Sequence, residues 1–305
     1  MLRLKWLAGV RASGLNAAWQ MRRGRLPAGV AWPRSFAAEA ATLDALAVEA
    51  GPANPAASWT RLIAAADSTP DARSLAEAWL LPRDRLAAIS EDTLTAASSA
   101  IAAIEVTTRE VFPQLEPQLK LRIGPIRDQW DGYGPGLIAH TRRLTGLDAI
   151  SHDIDVLATL PVGTAGLAFR CPASQAVVIE AVLTNPLPRL PEVVRLAWCV
   201  AAVLWDQQLN RSADSSDFPL GSAEPRAGSD VLAIALLPTI LAAAEIVELS
   251  RCDEATLDMA IPSFTAPLMA EPPPASRLLH WWETYLQTRP HWSIAIEALR
   301  RTLSA

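Results

Sequence analysis

The stretch Gln129-Trp130-Asp131-Gly132-Tyr133-Gly134-Pro135-Gly136-Leu137 sets three glycines, a proline and two aromatic side chains within a few residues of one another. Glycine at that density signals backbone conformations that other residues resist, or close approach by a partner. The spacing predicts a corner. One helix ends near Trp130, and a second begins with Pro135 in its first turn, where the missing amide hydrogen costs nothing, and stops at Gly146. Trp130 and Tyr133 each bring an apolar body and a polar handle to that corner, and His140 follows Gly136 by four residues. Trp130, Tyr133, Gly134, Gly136 and His140 are therefore candidate binding residues. The Gly132-x-Gly134-x-Gly136 spacing also suggests an anion held at the N-terminus of the second helix. Against that, a dinucleotide fingerprint follows a strand and reads GxGxxG, and the chain has no GxxxxGK[ST].

Around the corner the hydrophobic pattern is mostly helical. Helices are predicted over 36–50, 57–66, 72–81, 84–115, 118–130, 190–209, 231–249, 275–287 and 292–303, several bounded by proline or glycine. Residues 153–162, 167–169 and 176–183 read as strands, the last being β-branched and bounded by Pro172 and Asn185-Pro186. A polar segment over 210–229 reads as a long loop, and 262–274, with five prolines, as a connector. The expected fold is mainly α: a helical N-terminal region plus an α+β region with a small two- or three-stranded sheet. The expected boundaries are a leader over 1–38, a helical region over 39–115 and an α+β region over 116–305, with no flexible linker to separate the last two.

Charge sets the leader apart. Residues 1–38 hold seven basic side chains and no acid, leaving 20 basic against 32 acidic residues in the remainder. An acidic body argues against nucleic-acid binding. The leader reads as a surface helix docked on that body, and its arginines also suit contact with an anionic membrane surface or a targeting role. No apolar run reaches the roughly 20 residues of a membrane span. Cys171, Cys199 and Cys252 are odd in number and far apart, which fits neither a disulfide framework nor a CxxC metal site and implies a reducing, cytoplasmic setting.

The groups that carry chemistry are scattered. Among His140, His152, His280 and His291 no pair has the helical spacing of HExxH. GxSxG is absent, and Ser151-His152-Asp153 are consecutive rather than convergent. Asp153 and Asp155 share one face of a strand and read as solvated. No catalytic residue, metal ligand or cofactor is therefore assigned.

One constellation, Pro191-Glu192-Val193-Val194-Arg195 after a strand and a proline loop, resembles the zincin metalloproteases in the order of its elements. In that family the HExxH helix follows an edge strand, and a later helix supplies a further acidic ligand. The resemblance places Pro191 and Arg195 at the two histidine positions, and Glu245 or Glu248 at the later-helix position. A zinc site cannot form without the imidazoles, and Arg195 is expected to pair with Glu245 in the space of the cation. A second resemblance rests on Trp-Asp-Gly-Tyr-Gly-Pro-Gly-Leu (130–137), Ile-Glu-Ala-Val-Leu-Thr-Asn-Pro (179–186) and Leu-Pro-Glu-Val-Val-Arg-Leu-Ala-Trp (190–198). Together these look similar to uncharacterised bacterial proteins, chiefly of planctomycetes, and imply a shared architecture without an activity.

The functional expectation is a non-catalytic binding or scaffolding protein with a protein partner, for which exposed tryptophans among Trp281, Trp282 and Trp292 would serve as interface anchors. The alternative is a degenerate zincin-like hydrolase scaffold, or pseudoenzyme, with a residual pocket around Glu180, Glu192, Arg195 and Glu245.

Overall fold

Apolar side chains at three- and four-residue spacing organise the chain into helices, and the computed structural model describes residues 2–25, 32–49, 55–80, 89–146, 153–162, 168–171, 175–182, 187–214, 227–265 and 273–304. Among these lie eleven helices and one four-stranded sheet, so the fold is mainly α with a small α+β part. The described residues form two compact units. One comprises 4–124 and 155–184, the other 1–3, 125–154 and 185–305. Both sequence-based boundaries fall inside the first unit, because its sheet draws on segments far apart in the chain.

In the first unit, strand β1 (Arg3–Ala8) leads into helix α1 (Val10–Arg22). Helices α2 (Ser35–Glu49), α3 (Pro55–Ala65), α4 (Ala72–Leu80) and α5 (Glu91–Val111) follow. The sheet continues with β2 (Asp153–Thr159), β3 (Ala168–Cys171) and β4 (Ala176–Glu180), in the spatial order β1-β2-β4-β3. β2 and β4 are parallel, with Thr159 opposite Glu180, while β3 is antiparallel to β4, with Phe169 opposite Val178. β4 is buried along its whole length, which explains its continuous run of Val and Ile.

Helix α1 lies in the core of this unit. Trp19 stacks on Trp59 at 6.5 Å and meets Phe169 edge-on at 5.8 Å. Gly14 allows close approach to α5: a Cβ there would lie 3.1 Å from Ile104 Cγ2 and run into the Thr108 hydroxyl. α5 is the best specified helix. The Ser90 hydroxyl accepts from the Thr93 amide at 3.1 Å, Glu91 and Asp92 favour the positive end of the dipole, and Leu94, Ala97, Ile101, Ile104 and Thr108 form the buried stripe. Val106 lies off that stripe and is exposed.

The basic leader is thus not a surface element. Its first strand belongs to the sheet and its helix is buried. The charge asymmetry has an internal reason: leader cations meet acids from later segments. Arg11 Nε donates to Glu105 at 2.9 Å, Arg22 Nε to Asp44 at 3.0 Å, and Lys5 lies 3.8 Å from Asp155.

In the second unit, α7 (Glu192–Asp214) and α8 (Ala227–Ile246) are followed by α9 (Glu254–Thr265), α10 (Ala275–Thr288) and α11 (Trp292–Ser304). α7 is buried from Val193 to Trp205. Its Trp198 donates to the Ala233 carbonyl at 2.8 Å and stacks on Phe264 at 5.1 Å. α8 is buried on nearly all sides despite Pro238. Helix α9 was not expected, because Pro262 lies inside it. The expected loop over 210–229 is shortened from both ends by α7 and α8, and 215–226 lie outside the described residues, as does His152. No helix among the described residues is long and apolar enough to cross a membrane.

The largest correction concerns the expected corner. Residues 115–145 form a single helix, α6 (Leu115–Thr145), with Pro125 and Pro135 both inside it. Each proline follows a glycine. The residue before proline is pushed out of the helical region chiefly by a clash between its side chain and the proline ring, and glycine has no Cβ to clash. The buried stripe Leu115, Leu119, Ile123, Ile126, Trp130, Leu137, Ile138, Thr141 and Thr145 passes through the glycine segment without a change of phase. Burial of that stripe outweighs the roughly 1 kcal/mol that each interior glycine costs relative to alanine.

Candidate functional site

The residues expected to share one site fall into several distinct surroundings. On α6, Trp130 is buried with its indole against Gly134, while Tyr133 is 43% exposed and points away from the core. Gly136 lies near Val247, whose Cγ1 would be 3.9 Å from an added Cβ, and His140 is half-buried. A helix N-terminus at Pro135 was the basis of the anion-binding reading. The helix is continuous there, so its amides have carbonyl partners one turn back and present no free cradle.

Glu180 belongs to the first unit. Its side chain is fully buried at the C-terminal end of β4 and accepts from Asn16 Nδ2 at 3.0 Å. Gln20 Nε2 reaches Asn16 Oδ1 at 3.5 Å, and Ser13 Oγ donates to the Gly9 carbonyl at 2.6 Å while accepting from the Leu160 amide at 2.9 Å. Ser13, Asn16 and Gln20 form a polar line on an otherwise apolar buried helix, and sequence reasoning missed it. The available signal was three polar residues at i, i+3 and i+7 among alanine, leucine and tryptophan, a spacing that puts them on one face.

At the other end of α1, Asp67 accepts from the Arg11 amide at 3.3 Å and the Ala12 amide at 3.0 Å, so it caps a helix whose own Gly9 has no side chain to offer. Burial pushes its carboxyl above the ordinary aspartate value, and those two amides pull in the opposite direction.

Glu192 and Arg195 lie on α7 in the second unit. Arg195 is fully buried, and its Nη2 is 3.7 Å from Glu192 Oε1, one helical turn back, with Glu192 only 7% exposed. Glu245 is exposed at the end of α8, so the expected pairing of Arg195 with Glu245 is replaced by a pair within α7. Glu245 instead lines an open hollow of about 490 Å³ with Arg189, Glu248, Ser250, Arg251 and Asp253. The hollow forms where α8 stops in a left-handed residue, Glu248 with φ 60°, and Asp253 caps α9 by accepting from the Thr256 amide at 2.8 Å. Hydrogen bonds from Thr256 hold the Asp253 carboxyl below its ordinary value. Neither Glu192 nor Arg195 lines this hollow.

No family model, no curated protein and no solved structure matches this chain.

The three tryptophans expected at an interface are core side chains. Trp281, Trp282 and Trp292 are 8%, 2% and 1% exposed and surround Tyr285, with ring centroids 5.1 to 6.2 Å from it. Trp281 Nε1 donates to the Ala295 carbonyl at 3.0 Å, and the Tyr285 hydroxyl donates to the Leu144 carbonyl at the end of α6 at 2.6 Å. The amphipathic pattern of α10 explains the correction: Leu278, Trp281, Trp282 and Tyr285 form one inward stripe.

None of the three cysteines is in a disulfide. Cys252 donates to the Pro238 carbonyl at 3.4 Å. Burial, reinforced by the charges of Glu245, Asp253 and Glu283, pushes its thiol up to about 12, so it stays protonated and weakly nucleophilic at neutral pH. Among the described residues no group of three or more His, Cys, Asp or Glu side chains is arranged to hold a metal ion.

Proposed function

We propose that this chain is a non-catalytic binding protein that engages a protein partner, rather than a hydrolase on the degenerate zincin-like plan. The observation that carries this reading is Arg195, a fully buried guanidinium four residues after Pro191, at the position where the resemblance calls for the second imidazole. Arginine has no lone pair to give a metal, stays charged at any physiological pH, and repels a divalent cation. The same charge faces Glu192 at 3.7 Å, which turns the would-be general base into a structural counter-ion. Both residues that the resemblance would assign to hydrolysis are thus committed to holding α7 together.

The binding part of the reading rests on the hollow around Glu245. Arg189 and Arg251 alternate there with Glu245, Glu248 and Asp253, so both signs of charge are offered to solvent across one concave surface. Such a surface suits a polar segment of a partner protein, recognised through charge pattern rather than an apolar anchor.

The decisive measurement is metal content of the purified chain, before and after incubation with zinc and desalting. Zinc far below one ion per chain in both samples is the expected result. Stoichiometric zinc would overturn the proposal, since it requires ligands that Arg195 displaces.

A further inference from the structure

We draw no further inference here: the strongest candidate, the open hollow lined by Glu245, Glu248 and Asp253 with Arg189 and Arg251 between the end of α8 and the start of α9, belongs to the site already described, and nothing in the structure beyond those charges shows what covers it.

Discussion

The indole of Trp130 lies over Gly134, one helical turn further on, so closely that a Cβ at residue 134 would fall within 2.6 Å of Trp130 Cε3. The glycine is therefore required by a side chain of its own helix, and the segment that looks like a loop is a notch cut to receive a tryptophan.

That relationship separates the glycines of α6 by consequence. Gly134→Ala forces the indole out of its place and should destabilise the fold by about 1–3 kcal/mol, the usual range for overpacking. A Cβ at Gly132 meets nothing within 4 Å, so Gly132→Ala should stabilise by about 0.5–1 kcal/mol through helix propensity alone. Urea denaturation followed by circular dichroism reads both. A corner at 129–137 would instead make Gly132→Ala destabilising.

The pair on α7 predicts a thermodynamic coupling. Glu192→Gln leaves the buried charge of Arg195 without its nearby carboxylate and should cost about 3 kcal/mol, as removing one member of a buried ion pair commonly does. Adding Arg195→Met should recover part of that loss, because the charge that this carboxylate faces is removed with it. A double-mutant cycle on unfolding free energies measures the coupling, and strictly additive losses would show that the two side chains act independently.

Asp67 predicts a pH dependence of unusual sign for a carboxylate. Its folded value is raised above the ordinary 3.8, chiefly by burial. The folded state therefore holds this proton more tightly than the unfolded chain does. The associated stability is fully present below 3.8 and is lost as pH rises through the raised folded value. Relative to Asp67→Asn, which cannot ionise, the natural chain should lose stability as pH climbs out of the acid range and then level off. Urea titrations of the two proteins from acid to neutral pH check this. A difference that grows in favour of the natural chain as pH rises would contradict it.

Much of the fold was legible because burial imposes a period. The stripes of α5 and α10, the β-branched run of β4 and the proline opening of α7 each carry their structure in local spacing. The misread elements are those where a local signal was opposed by packing elsewhere. The glycines before Pro135, and Pro262, announce breaks, yet the apolar faces beneath α6 and α9 keep those helices whole. Arg11 and its neighbours look like a surface helix because Asp67 and Glu105, which receive them, lie far along the chain.

What the sequence determined by itself was most of the helices, the strands β2 to β4 and the lack of paired histidines, all properties of residue order. Only the tertiary structure decided that the leader supplies β1 and a core helix, that Trp281, Trp282 and Trp292 point inward, and that Arg195 faces Glu192 rather than Glu245. The physical reason is common to all three. A side chain's charge or bulk is written in the sequence, but which group compensates it depends on what the fold brings within a few ångströms.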